Sequence, residues 1–460
     1  MPTFHLTSFG CRASQADGSA IKRQLLEAGF EESSTFGHTQ VAVLNTCTVT
    51  AAADAEIRRM IRRIHRENPD CRIVVAGCYA QRAPGQLAGL QGVICVVGNS
   101  DKHRIAELIE PACSPIGKSI AARAYSEQQA PHCADEDSIP QQPASGAQVF
   151  VGPIAPEFHF APVFPDDRTR PTLKIQDGCN ARCSFCVIPE VRGRSRSLGV
   201  EQVIAEARRL EAAGTKEIVL SGINLGSYGR EFTPRVGFVE LLDRILEKTA
   251  IARLRISSIE PMDVTPRLID RVAGEPRFAQ HFHIPLQSGS DRILRQMNRR
   301  YWTRQYAEKI RTVRKRMPDA AIGADVMVGF PGETEADFNA TAEFIESLPF
   351  TYLHVFPYSA RPGTAAAAMA GQLNGRVIHE RARHLLALGS SLKRKFMAAQ
   401  EGRTLSVLTL DETHGGQRVA LSANYLRVLL PQSGAPANQL LDVKIGGADE
   451  GFLYAIAGAC

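Results

Sequence analysis

The sequence lacks any run approaching the ~20 consecutive apolar residues that cross a bilayer, and its opening, Met1-Pro2-Thr3-Phe4-His5-Leu6, has no basic segment leading into an apolar one. A membrane-spanning or secreted protein is not expected; a cytoplasmic location with no membrane attachment is. Compositional extremes are missing too: 44% hydrophobic and 22% charged residues exclude wholesale disorder. In a reducing compartment, the eleven cysteines are expected to be metal ligands, catalytic thiols or buried apolar residues rather than a disulfide framework.

A chain of 460 residues should fold as several cores joined by linkers. Residues 1–110 alternate apolar β-rich runs (Phe4 to Phe9, Val41 to Asn45, Arg72 to Ala76, Gly92 to Val97) with helical stretches, which implies a parallel sheet. Residues 111–170 lose periodicity, become rich in Pro, Ser, Gln and Ala, carry the acidic cluster Asp135-Glu136-Asp137, and read as a linker or insertion. In 171–399 the strand–helix alternation resumes, with strands at Leu173 to Gln176, Glu217 to Ser221, Leu254 to Ser257, His281 to Leu286, Ile322 to Val328 and Tyr352 to Pro357. Six such units are too few for the eight-unit closed barrel and predict a partial (β/α)6 barrel. Residues 400–460 alternate in short segments and read as a small β-barrel. The fold class is therefore α/β with a β-barrel tail.

Net charge is +6, but the segments carry +1 (1–110), −3 (111–170), +10 (171–400) and −2 (401–460). A positive middle suits a polyanionic partner without requiring one, since long helical surfaces are often basic.

Cys179-x-x-x-Cys183-x-x-Cys186 directly follows the first strand of the middle region, where α/β folds place active-site loops. Three thiolates so spaced can bind three irons of a 4Fe-4S cube and leave the fourth iron open. The alternatives are a structural zinc site, which needs four closing ligands, and a Cys-x-x-Cys redox pair, which leaves one cysteine unexplained. Cys11, Cys47 and Cys78 each fall just past the carboxyl end of a predicted strand. Parallel strands would bring them to one sheet edge as a second three-ligand set; the alternative is three coincidentally placed cysteines. Cys71, Cys95, Cys113, Cys133 and Cys460 fit neither set and are expected to be structural or incidental.

The Cys179–Cys186 loop, with Phe185 before its last cysteine, resembles that of the radical S-adenosylmethionine superfamily, in which the open iron chelates the cofactor and an electron from the cluster cleaves it to an adenosyl radical. Five further segments are similar to the methylthiotransferase family: Thr7-Ser8-Phe9-Gly10-Cys11, Asn45-Thr46-Cys47-Thr48-Val49-Thr50, Gly77-Cys78-Tyr79-Ala80-Gln81, His283-Ile284-Pro285-Leu286-Gln287-Ser288-Gly289-Ser290 and Gly329-Phe330-Pro331-Gly332-Glu333-Thr334. This resemblance spans almost the whole chain and implies an N-terminal cluster domain, a radical barrel and a C-terminal TRAM domain. It also implies two 4Fe-4S clusters, S-adenosylmethionine, an electron donor and a sulfur source. Thr48-Val49-Thr50 and Tyr79-Ala80-Gln81 resemble the branch that methylthiolates C2 of N6-threonylcarbamoyladenosine at position 37 of tRNA. The branches acting on isopentenyladenosine or a ribosomal-protein aspartate are the alternatives.

By position at strand ends, Gly222, Asn224, Glu260, Gln287, Ser288, Pro331 to Glu333 and Arg361 are expected to hold cofactor and substrate, though each alone could be a turn residue or cap. A tRNA anticodon stem-loop would need Arg and aromatic contacts. Arg192, Arg194 and Arg196 are the favoured candidates; Arg58, Arg59, Arg62, Arg63 and Arg66 recur at helical spacing, and Arg403, Arg418, Arg427 and the stretch Arg381 to Lys395 are further possibilities. A noncatalytic, zinc-stabilised RNA-binding protein would use the same cysteines and basic runs, and would be colourless.

Overall fold

The computed structural model describes residues 1–113, 146–156, 169–431, 435–449 and 451–456. Asp135-Glu136-Asp137, Cys133 and Cys460 lie outside the described residues.

The N-terminal domain is a six-stranded parallel sheet in the order β2-β1-β3-β4-β5-β6, built from β1 (Thr3–Ser8), β2 (Glu31–Glu32), β3 (Val41–Thr46), β4 (Arg72–Gly77), β5 (Val93–Val97) and β6 (Gln148–Phe150). Its central strands read as unbroken apolar runs because both faces are covered. Helix α1 (Arg12–Glu27) sets Ile21 and Leu25 against Val41 and Val43 on one face, and α2 (Ala51–Glu67) sets Ile57, Ile61 and Ile64 against Ala42 and Leu44 on the other. The Thr50 side chain caps α2 by accepting from Ala53 N at 3.2 Å. The expectation of a linker through 111–170 changes at β6, which pairs with β5 inside that segment. A three-residue strand with two exposed positions leaves too weak an alternation to be read from sequence.

The middle domain brings β7 (Thr172–Lys174), β10 (Glu217–Ser221) and β11 (Arg253–Ile256) into one parallel sheet, with β12 (His281–His283), β13 (Ala321–Val328) and β14 (Tyr352–Pro357) in another. Parallel bridges Leu254↔Phe278 and Ser258↔His283 link the two into one arc of six, the expected partial barrel, around a single large apolar core. A short antiparallel pair, β8 (Gln176–Asp177) with β9 (Arg196–Ser197), brackets the cysteine loop. The long helix Gly375–Ala398 then leads into a closed barrel of β15 (Thr404–His414), β16 (Gln417–Ser422), β17 (Arg427–Leu429), β18 (Leu440–Asp449) and β19 (Phe452–Ala455).

Two buried ionic contacts join the first domain to the second. Asp17 of α1 accepts from Lys102 Nζ at 2.5 Å and Arg192 Nη2 at 3.0 Å, and also binds Lys174. Asp177 accepts from Arg192 Nη1 at 3.0 Å and Lys174 Nζ at 3.1 Å. Burial alone would raise both carboxyls, but the surrounding cations hold them below the usual carboxylate range. Elsewhere Arg361 Nη2 reaches Asp54 at 2.5 Å and Thr48 Oγ1 at 2.6 Å.

Candidate active site

Cys179 lies two residues past β8, after Gly178, whose φ of +72° turns the chain where a Cβ would meet Arg194 O at 2.1 Å. The loop is tied down by Cys179 N donating to Gly193 O at 3.0 Å and Cys186 N to Cys183 O at 3.1 Å. Its sulfurs are also addressed: Ala181 N donates to Cys179 Sγ at 3.3 Å, Asn224 Nδ2 lies 3.8 Å from the same atom, and Arg299 Nη1 donates to Cys183 Sγ at 3.4 Å. Arg299 is paired in turn with Glu260. Burial, then the adjacent Cys183 and Cys179, push the Cys186 thiol up to about 12.

The second triad forms as strand order requires, because β1, β3 and β4 are neighbours and end on one edge. Gly10 (φ +95°) lets the chain pass so close to Cys47 that a Cβ there would sit 2.5 Å from Cys47 Cβ and 2.7 Å from its sulfur. Burial, then the nearby Cys78 and Cys11, push the Cys47 thiol up to about 11. The buried guanidinium of Arg192 lies within electrostatic reach of Cys78 and Cys11.

Both triads are all-sulfur and three-membered, and burial makes Cys47 of one and Cys179 and Cys186 of the other resist ionising unless a cation offsets the negative charge. Neither brings its three sulfurs within 4.8 Å of one another, whereas Zn–S bonds of about 2.3 Å would draw thiolates to roughly 4 Å apart. The donor sets therefore fit a multi-iron cluster better than one zinc ion.

Two cavities adjoin. One, of about 440 Å³, is lined by Cys11 and Arg12 of the N-terminal domain, inward-facing barrel residues including His283, Asp325 and His354, and Tyr425 of the C-terminal barrel. The other, about 500 Å³, is lined by Cys183, Arg230 and Arg299 among others. Asn224 and Glu260 line both.

Of the residues expected to hold cofactor and substrate, Gly222, Asn224, Glu260 and Gln287 line the first cavity. Asn224 N donates to Gln176 Oε1 at 2.7 Å, leaving its buried side-chain Oδ1 without a partner among the described residues. Three expectations are corrected. Ser288 is fully buried and packs against Thr341, Oγ to Oγ1 at 3.3 Å. Glu333 accepts from Gly329 N at 2.8 Å and pairs with Arg381 at 2.6 Å. Arg361 is spent on the Asp54 contact between domains. Pro331 and Gly332 likewise lie outside both cavity linings. Strand ends place a residue near an opening, but a buried ionic or hydroxyl partner turns its side chain away.

The basic residues divide in the same way. Arg192 is 1% exposed and ion-paired, so its expected RNA contact is not available. Arg196 is held by Ala155 O and by Arg192 O at 2.9 Å, while Arg194 is exposed. Arg59, Arg62 and Arg66 of α2 are exposed, Arg63 pairs with Glu67, and Arg58 donates to Tyr79 Oη at 2.5 Å. Arg403, Arg418 and Arg427 each face an acid, Asp319, Asp411 and Glu412 respectively.

Sequence reasoning missed Arg12, Arg299, His283, Asp325, His354 and Tyr425. His283 Nε2 and His354 Nδ1 approach Asp325 Oδ1 to 3.1 and 3.2 Å, and Ser258 Oγ meets His283 Nδ1 at 2.7 Å. Burial would raise the Asp325 carboxyl, but these two histidines hold it below the usual range. A signal was present: His281 and His283, and Tyr352, His354 and Phe356, recur at the two-residue period that lines one face of a strand.

Residues 173–345 match the radical SAM superfamily and residues 3–98 match a family described as uncharacterized protein family UPF0004. The chain is 36% identical to the threonylcarbamoyladenosine tRNA methylthiotransferase MtaB of Bacillus subtilis (strain 168), across 97% of this chain and 94% of that one. It is 34% identical to the same-named protein of Aquifex aeolicus (strain VF5), across 92% and 95%. To the tRNA-2-methylthio-N(6)-dimethylallyladenosine synthase of that organism it is 32% identical, across 90% and 89%. Among solved structures, the radical S-adenosylmethionine methyltransferase TsrM of Kitasatospora setae superposes with TM-score 0.53 at 17% identity, covering 80% of this chain and 75% of that one, a likeness of fold.

Proposed function

The chain belongs to the radical S-adenosylmethionine methylthiotransferase family, and from that premise we propose that it replaces the C2 hydrogen of N6-threonylcarbamoyladenosine at position 37 of tRNA with a methylthio group. The observation that carries the reading is the pair of cysteine triads, one from each α/β domain, with Cys11 lining one and Cys183 the other of two adjoining cavities that share Asn224 and Glu260. In this reading Cys179, Cys183 and Cys186 hold one 4Fe-4S cluster with S-adenosylmethionine, and Cys11, Cys47 and Cys78 hold the other. When bound, these groups supply an electron for cleaving the cofactor and a sulfur for methylation and transfer. The chain's own residues do the rest. Asn224 and Arg299 donate toward the radical-site sulfurs, Glu260 fixes Arg299, and residues of all three domains, Arg12, His283 and Tyr425 among them, line the cavity that would receive the base. An external electron donor and a sulfur source complete the scheme. Among the described residues no helix is long and apolar enough to cross a membrane; the cytoplasm is inferred as the place of work from the tRNA substrate.

The test is iron and sulfide content with EPR after anaerobic reconstitution, together with nucleoside mass spectrometry of tRNA from cells lacking the enzyme and cells supplied with it. About eight irons, falling to about four in a Cys179→Ala/Cys183→Ala/Cys186→Ala variant, are expected, with 2-methylthio product on threonylcarbamoyladenosine. Bound zinc without iron would sink the enzymatic reading, and product confined to isopentenyladenosine would move the chain to the other tRNA branch.

A further inference from the structure

Arg12 and Arg255 line one end of the 440 Å³ cavity, with Arg170 and Arg253 behind Arg255 around one shared carboxylate. Glu217 of β10 is fully buried and faces three guanidiniums: Arg255 Nε at 2.7 Å, Arg170 Nη1 at 3.3 Å and Arg253 Nη1 at 3.5 Å. Arg12 is a fourth. It enters from the start of α1, directly after Cys11, and donates through Nη2 to the Tyr425 hydroxyl at 2.9 Å. No carboxylate pairs with it among the described residues.

The ring of Tyr425 joins these groups, with the Arg255 guanidinium 5.3 Å and the Arg12 guanidinium 6.0 Å from its centroid, and His281 at 4.6 Å. The cavity's two acids are both engaged, Asp325 by His283 and His354 and Glu260 by Arg299. His281 is 4% exposed; its Nε2 meets Tyr352 Oη at 2.8 Å, while its Nδ1 has no partner among the described residues. Burial first, then Arg255, His283 and Arg12, hold its pKa well below the ordinary histidine value, so it offers a neutral ring beside the cations. A partly buried guanidinium opposite only a phenol is poorly compensated until an anion arrives.

Resting on the function proposed above, we propose that Arg12, oriented by Tyr425, receives the carboxylate of the threonylcarbamoyl substituent and so makes the site selective for that base. In adenine, N6 and C2 lie on the same Watson–Crick edge with N1 between them. A C2 atom presented to the Cys11 side of the cavity therefore directs the N6 substituent toward the neighbouring residue. An isopentenyl group would desolvate the same guanidinium and give it no partner, which discriminates by penalty as well as by attraction.

The experiment uses the full chain with both clusters and measures binding of anticodon stem-loops carrying threonylcarbamoyladenosine or its carboxylate methyl ester. Wild type should prefer the free acid by about ten- to a hundredfold, the range of a hydrogen bond to a charged group. Arg12→Gln should erase that preference with iron content unchanged, Arg12→Lys should keep part of it, and Tyr425→Phe should reduce it while leaving the arginine in place. A preference that survives in Arg12→Gln would overturn the assignment. So would an equal loss for both RNAs, which would place the guanidinium on a phosphate. Failure of wild type to methylthiolate the free-acid loop would instead overturn the proposed function, and the binding comparison, needing no turnover, would still decide for or against Arg12.

Discussion

Replacing Arg192 by Gln tests whether the basic loop after Cys186 serves RNA or the fold. The side chain is 1% exposed and bridges Asp17 of one domain to Asp177 of the other, at 3.0 Å each. Without it Asp17 keeps Lys102 and Lys174, but Asp177 keeps only Lys174 at 3.1 Å and Arg196 at 4.0 Å. Breaking a buried ion pair from one side costs about 3–5 kcal/mol, because the remaining charge is left desolvated. The lysines retain part of the compensation, so about 3 kcal/mol is expected. At about 2–4 °C per kcal/mol for a unit of this size, the first thermal transition should fall by roughly 6–12 °C. Iron retained by the Cys11, Cys47 and Cys78 set should also fall, since the lost cation faces those thiolates. The assay is scanning calorimetry of the reconstituted protein beside stem-loop binding at two salt concentrations. A transition within about 2 °C of wild type combined with weakened, less salt-dependent RNA binding would refute the reasoning.

The exposed Arg194 should behave oppositely. Arg194→Ala is expected to leave the melting temperature unchanged and lower the salt slope of tRNA binding by about one, checked by titration across ionic strength. Gly10→Ala puts a Cβ 2.5 Å from Cys47 Cβ at a φ of +95°, so reconstituted iron should drop from about eight to about four while the EPR signal of the Cys179–Cys186 cluster persists. Acid stability follows from the buried carboxylates. Glu217 is held at about 2 by Arg255 and Arg170 against the opposing effect of burial, and Asp17 and Asp177 are also depressed. Their contribution is complete above the unfolded values near 4 and is lost as pH falls through the folded values. Circular dichroism should therefore show a folded protein down to about pH 4 and cooperative loss below it; unfolding centred at pH 5 or above would contradict these ion pairs.

Local chemistry carried much of this protein in its sequence. Three cysteines within eight residues stay together wherever the loop lies, and unbroken apolar runs separated by helical stretches define parallel strands because both faces of such sheets are covered. From those rules the N-terminal sheet, the partial barrel and the closed tail follow, as does the placing of Cys11, Cys47 and Cys78 at one sheet edge and of Gly222, Asn224, Glu260 and Gln287 in the cavity lining. Tertiary structure alone decided which charges are available. Arg192, Arg361 and Glu333 look in sequence like free polar residues beside motifs, yet each meets a counter-charge 48 to 307 residues away in the chain and is buried by it. Conversely, Arg12 has no distinguishing neighbours in sequence and becomes conspicuous only when the fold sets it in one cavity lining with Arg255, against Tyr425 of the C-terminal barrel, while Glu217 is taken up by Arg255, Arg170 and Arg253. Periodicity reports which face of a strand is dry, a property of neighbouring residues. Whether a charge is compensated depends on groups that only the completed fold brings within a few ångströms, where the low dielectric of the interior makes their pairing decisive.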